Sequence, residues 1–389
     1  MKLILPLLLL LIISCSDNTL SVKESKDYIT SSIKTRQAEN LKKFGDEWEK
    51  RTLTNGDYTM KFDYSSHGEE PVDGRALYIS MHGGGGTTPE MNDGQWDNQK
   101  KLYTPKEGIY FVPRSPTNTW NMWHQSYMDG FIEKIIELAV LKENVNPNKI
   151  YIMGYSAGGD GTYQLAPRLA DLWAAAAMSA GHPGNAQIEN LRNLPFALYM
   201  GGLDSPYNRN GLAREFGDKL DSLAKEESKS YIHDVQIYEE DGHWMKHKDT
   251  ISMTWMPQFE RNPIPTKVVW VQDDVIRDQF YWLEATKDGK TQHSKTVASY
   301  NTEEREIHIE ECTSPSVIIG LNDRMMDLDK PIQVFFQGKE IYNDLIPRTL
   351  ANIDSDIKSM RDKDLIFPAK LLIKKSGNNY SCQIYSLSE

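Results

Sequence analysis

The chain has 389 residues, of which 55 are Asp or Glu and 44 are Lys or Arg, giving a formal net charge of −11. A balance this acidic gives no support for nucleic-acid binding. The length exceeds what one hydrophobic core normally serves, so two domains are expected.

The first segment, "MKLILPLLLLLIISCSDN", places one lysine before a leucine-rich stretch. That stretch is too short to cross a bilayer as a helix and reads as a secretory signal. The "IIS" before Cys15 resembles a bacterial lipobox. The resemblance implies that Cys15 is lipidated and becomes the mature N-terminus of an exported, membrane-anchored lipoprotein, periplasmic or at the cell surface. Residues 1–14 are set aside from the fold accordingly, and no later run is long and apolar enough for a membrane span. Cys312 and Cys382 are then the remaining cysteines, thin ground for a disulfide; two unpaired thiols are expected. Residues 15–55 read as a tether and a polar helix lying on the next domain.

From residue 56 the texture changes. "GDYTMKFDYSSHG" alternates and predicts strands near a sheet edge. "RALYISMHGGGG" (75–86) is an apolar strand stopped by glycines, and "GIYFVPRSP" (108–116) is another strand. Apolar residues at Phe131, Ile132, Ile135, Ile136, Leu138, Ala139 and Leu141 have a helical period over 128–145. "KIYIMGYS" predicts a strand and "AGGDGTYQLAPRLA" a helix. Short apolar runs follow at 173–181 and 195–204, then a helix at 210–228 and a last strand at 234–243. Strands alternating with helices imply parallel βαβ units in a doubly wound, mostly parallel α/β sheet over residues 56–260. Ligands in such sheets sit at the carboxyl ends of the strands. After "ERNPIPTK" (260–267) short strands follow one another with turn signals between them, so residues 266–389 predict a smaller all-β sandwich. A helical interruption is expected at 347–362, and "AKLLIKK" returns to the sheet.

Ser156 lies in Gly154-Tyr155-Ser156-Ala157-Gly158, a G-x-S-x-G pattern between a predicted strand and a predicted helix. That is the setting of a nucleophile elbow, where a tight turn needs small neighbours and exposes the hydroxyl. A serine needs a base, and the base needs a carboxylate to orient it. Asp204, just past the 195–204 run, and His243, after the last strand, follow in suitable order. Asp241 is too near His243 in sequence to serve. Gly83 or Gly84 in "MHGGGG", with the N–H of Ala157, would supply unobstructed donors to an oxyanion. No Gly-Lys-Ser/Thr ending follows, so the loop is not a phosphate cradle. Trp120, Trp123 and His124 either stack on a sugar or aromatic acyl group or pack in the core beneath a loop; the residues leave both open. His182 is placed to line the pocket, Trp244 to exclude water beside the base, and His247 to be solvated. No grouping has metal-ligand spacing, and neither metal nor cofactor is expected.

With "HGGGG", "GYSAGGDG", "GGLDSPY" and "DGHWM" in this order, residues 56–260 resemble the α/β-hydrolase superfamily. They are most similar to esterases grouped near polyhydroxybutyrate depolymerases, feruloyl and acetylxylan esterases and dienelactone hydrolases. Glycine stands after His82-Gly83 where the depolymerases often have cysteine, which counts against a polyester substrate. The resemblance implies a serine carboxylic-ester hydrolase acting through an acyl-enzyme on carbohydrate or small-molecule esters outside the cytoplasm. Two other readings are a serine peptidase of the prolyl-oligopeptidase catalytic type without a propeller, and a non-catalytic glycan-binding lipoprotein.

Overall fold

The computed structural model describes residues 19–359, 362–377 and 379–385. The expected signal segment and Cys15 lie outside the described residues. Helix α1 (Val22–Glu49) starts at a capping box in which Ser21 accepts the Glu24 N–H and Glu24 reaches back to the Ser21 N–H. Its C-terminal Trp48 is buried and donates to Glu143 at 2.8 Å, which pins this mostly polar helix to the body.

Then follow β1 (Thr52–Asn55), β2 (Tyr58–His67), β3 (Arg75–Met81), α2 (Pro89–Gln99), β4 (Gly108–Arg114), α3 (Tyr127–Glu143), β5 (Val145–Tyr155), α4 (Ala157–Arg168), β6 (Ala175–Ser179), β7 (Phe196–Gly201), α5 (Arg209–Glu226) and β8 (His233–Tyr238). The eight strands form one sheet in the order β1-β2-β4-β3-β5-β6-β7-β8. β1 and β2 are antiparallel at one edge, and every pairing from β4 to β8 is parallel. This is a doubly wound, mostly parallel α/β sheet.

The central strands bury both faces, so their residues divide by parity. Leu77, Ile79, Ile150, Ile152, Ala176 and Met178 join one core, while Ala76, Tyr78, Tyr151, Met153, Ala175 and Ala177 join the other. Each fully buried Leu, Ile or Met contributes roughly 1.5–3 kcal/mol relative to exposure. Two elements differ from the sequence expectation. Helix α2 lacks an apolar period. Strand β8 ends at Tyr238 rather than 243, because the Asp241 carbonyl turns to accept the Leu203 N–H at 2.9 Å and ties the loop after β8 to the loop after β7.

Beyond α6 (Ser252–Trp255) come β9 (Lys267–Val271), β10 (Gln279–Phe280), β11 (Leu283–Ala285), β12 (Lys295–Asn301), β13 (Glu306–Cys312), β14 (Ser316–Leu321), β15 (Ile332–Phe336), β16 (Lys339–Asp344), α7 (Leu350–Lys358), β17 (Ala369–Ser376) and β18 (Asn379–Ile384). They form two five-stranded sheets, β10-β11-β14-β17-β18 and β16-β15-β13-β12-β9, antiparallel except for β13 against β15. Their inward residues, including Trp270, Trp282, Ile307, Ile319 and Leu371, belong to the same buried cluster as one face of the large sheet. Asn190 covers the β9 edge like a strand, donating to Val271 O at 2.9 Å and accepting its N–H at 2.7 Å. Arg277 inserts between Asp129 (3.4 Å) and Glu133 (3.0 Å) of α3. Cys312 and Cys382 carry free thiols.

Candidate active site

Ser156 occupies the turn between β5 and α4 at φ 57°, ψ −119°, outside the regions that ordinary L-residues prefer. Strain of about 1–3 kcal/mol persists only where the surroundings over-determine it. Here the Ser156 N–H donates to Ser179 O and its carbonyl accepts the Asp160 N–H, both at 2.9 Å. The glycines are steric necessities: a Cβ on Gly154 would meet Gly158 O at 2.1 Å, and one on Gly158 would meet Met81 O at 2.0 Å.

The loops after β7 and β8 deliver Asp204 and His243. His243 Nε2 lies 2.9 Å from Ser156 Oγ, and His243 Nδ1 lies 2.7 Å from Asp204 Oδ2. The carboxylate only accepts, so Nδ1 carries the proton and Nε2 is free to accept from the serine hydroxyl. The Asp204 side chain is fully buried and the imidazole is partly exposed. The other carboxylate oxygen faces Arg209 at 3.6 Å. Asp241, the rejected alternative, instead grips Lys246 (2.7 Å) and Lys248 (2.5 Å) and folds the loop that carries His243.

Two residues that the sequence reading passed over hold this geometry. The Tyr155 hydroxyl donates to His243 O at 2.5 Å and accepts the Met245 N–H at 3.2 Å, so the residue before the nucleophile clamps the loop bearing the base. His82 is fully buried, and burial pushes its imidazole down to about 4. Its Nε2 accepts the Ser115 N–H at 3.2 Å, so Nδ1 is the protonated nitrogen and donates to Gly83 O at 2.6 Å. With that carbonyl held away, the N–H of Gly84 across the trans peptide is turned to the opposite side. The next N–H, of Gly85, is already taken by Asn92 Oδ1 at 2.9 Å. Asn92 also explains why position 84 is glycine, at φ +107°: a Cβ there would lie 2.1 Å from its Oδ1. A Cβ on Gly83 would sit 3.3 Å from Ser156 Cβ, and Ala157 opens α4, where first-turn N–H groups lack helical partners. Gly83 and Gly84 thus share the cavity with Ser156, and Ala157 follows it at the start of α4.

A cavity of about 610 Å³ opens over Ser156 and His243 between α2 and the loop after β8. Of the residues expected to bind substrate, Trp244 lines it, about half exposed. Trp123 does not: it is buried, donates to His82 O at 2.9 Å and supports the glycine loop from beneath. Trp120 is exposed beside Gly85 and Gly86, with its ring on His124 at 5.4 Å, and neither lines the cavity. His182 is half-buried at the end of β6 and also stays outside the cavity; its N–H donates to Asp160 Oδ1 at 2.6 Å and its Nδ1 accepts the Gly184 N–H. His247 is exposed, as expected, and it also lines the cavity with its ring 4.7 Å from that of Trp244.

No protein-family model and no curated protein matches the chain. Solved structures similar to part of it include a thermostable esterase, 21% identical over 53% of this chain and 58% of that one, with a TM-score of 0.39. A ferulic acid esterase is 14% identical over 53% of this chain and 95% of that one, at 0.41. An acylaminoacyl peptidase from Pyrococcus horikoshii is 13% identical over 53% of this chain and 39% of that one, at 0.38.

Proposed function

We propose that the protein is a serine esterase working through an acyl-enzyme. One observation carries the reading: the unbroken relay from Ser156 Oγ to His243 (2.9 Å) and on to Asp204 (2.7 Å), set on an elbow at positive φ. Ser156 attacks the ester carbonyl as His243 Nε2 takes its proton. The tetrahedral oxyanion accepts from the backbone N–H of Ala157 and of the Gly83–Gly84 segment. His243 returns the proton to the departing alcohol, Asp204 stabilises the imidazolium, and water repeats the cycle on the acyl-serine.

Ser156→Ala is expected to lower kcat for a chromogenic acyl ester by about a million-fold while the fold persists. A purified variant that turns over ester near the wild-type rate refutes the assignment. Comparing a nitrophenyl ester with the matching peptide anilide separates esterase from peptidase, and a fluorophosphonate probe that fails to label Ser156 points to a non-catalytic scaffold. Export and lipidation at Cys15 belong to the same proposal; a lipid-sized mass loss in Cys15→Ala, with release from the membrane fraction, is the expected result.

A further inference from the structure

We infer that this cleft selects an ester that also bears a carboxylate, received by Lys101 and His247. The inference rests on the serine-esterase reading and adds the charge of its substrate. In a chain with 55 acidic residues against 44 Lys and Arg, the cavity lining contains no Asp or Glu, yet it contains Lys101 and His247. The carboxylates of the surrounding elements lie outside that lining: Glu90 and Glu240 are exposed beyond it, and the others are held by partners. Asp93 pairs with Arg114 at 2.7 Å, Asp97 with Lys100 at 2.6 Å, and Asp241 with Lys246 and Lys248. Asp249 is buried and accepts the Tyr103 hydroxyl, and Asp204 is buried behind His243. Lys101 makes no ion pair within 4.0 Å among the described residues; the nearby Asp97, which pairs with Lys100, feels its charge.

The walls fit a polar, anionic occupant. Met91, Gln95, Asn98 and Leu102 follow one another at helical spacing on the cleft side of α2 and its extension. The Gln95 Oε1 lies 3.5 Å from where a Gly83 Cβ would stand, so this carboxamide reaches the immediate neighbourhood of the nucleophile. On the opposite wall, Asp241 holds Lys246 and Lys248 on either side of His247, whose φ of 62° follows one of 55° at Lys246. Two successive non-glycine residues in that region mark a loop kept in an uncommon shape, and this shape sets His247 and Trp244 over the cavity. The carboxylate belongs either to the acyl part or to the alcohol part of the ester.

Two matched pairs of esters test this on the full chain. The 4-nitrophenyl monoester of adipic acid is set against 4-nitrophenyl hexanoate, and an O-acetylated glucuronic acid against the corresponding O-acetylated glucose. In at least one pair the anionic member is expected to have a kcat/KM higher by about five- to tenfold at low ionic strength; which pair does so identifies the part that carries the charge. Lys101→Met should abolish that ratio, Lys101→Arg should retain it, and about 0.5 M sodium chloride should compress it. Equal or reversed ratios in both pairs, from an enzyme whose Ser156 still labels with fluorophosphonate, overturn the inference and leave the esterase reading standing. A ratio untouched by Lys101→Met also overturns it. Absence of both labelling and turnover overturns the esterase reading itself.

Discussion

Tyr155→Phe isolates the clamp between nucleophile and base. The substitution removes one oxygen atom and keeps the ring that contacts His243 and Trp244 at centroid distances of 5.9 and 5.8 Å. It leaves the Met245 N–H, on a fully buried residue, and the His243 carbonyl without this partner. Stranding such groups costs about 1–3 kcal/mol in unfolding free energy. The larger effect falls on the rate. His243 Nε2 must stay within hydrogen-bond reach of Ser156, and a displacement of about 1 Å can cost about a hundredfold. Urea unfolding and steady-state kinetics on a nitrophenyl ester should show the stability loss together with a kcat lower by about ten- to a hundredfold. Tyr199→Phe is the control: its hydroxyl bonds Asp234 at 3.1 Å, away from the loop bearing the base. If Tyr155→Phe proves destabilised but keeps wild-type kcat, as the control should, the hydroxyl does not hold the base in register.

Gly158→Ala should destabilise by about 3 kcal/mol or more, because the new methyl meets backbone at 2.0 Å; Gly94→Ala, in helix α2 with nothing within 4 Å, should instead stabilise by about 0.5–1 kcal/mol. Thermal melts of the two variants must move in opposite directions. Burial holds the His82 imidazole at about 4 in the folded protein against 6.5 in the unfolded chain. The unfolded state therefore takes up a proton that the folded state refuses, so this residue's contribution to stability falls as pH drops from about 6.5 to about 4. A stability–pH curve measured for His82→Gln should be flatter over that window. Arg277→Ala removes the cation that the β-rich part brings to Glu133 and Asp129, of which Asp129 keeps Arg168 at 2.8 Å, and should cost about 1–3 kcal/mol in denaturant unfolding; a loss below about 0.5 kcal/mol contradicts the pairing.

The large sheet was legible because its signals are local. Strands buried on both faces read as apolar runs, and α3 reads from its period. The elbow was legible because backbone crowding at Gly154 and Gly158 forces glycine into the sequence itself. Helix α2 was not, since even its buried positions, Asn92 and Gln99, are polar. Its signals lie at the N-terminus, where Thr88 caps by accepting the Met91 N–H, Pro89 begins the helix and Glu90 lies in the first turn. Trp120, Trp123 and His124 were ambiguous for a different reason. Composition says that such a loop carries aromatic rings, but which ring turns inward depends on what lies beneath, here the His82 carbonyl and Gly161. Lys101 and His247 could not be paired from sequence at all. They are 146 positions apart, and only the fold sets them on one cavity.

The same helix that escapes the pattern couples recognition to chemistry. Asn92, in the first turns of α2, holds both polar groups of Gly85: Oδ1 accepts its N–H at 2.9 Å, and Nδ2 donates to its carbonyl at 3.0 Å. One turn on, Gln95 and Asn98 face the cavity, with Lys101 just beyond. A ligand that presses on Gln95, Asn98 or Lys101 therefore presses on the element that fixes the glycine loop. Binding energy gathered along the cleft wall can be used to set the backbone donors opposite Ala157, a position that matters only once the carbonyl oxygen becomes charged. This arrangement predicts that shortening a substrate on its α2 side lowers kcat as well as raising KM. Contacts that merely held the ligand would change KM alone.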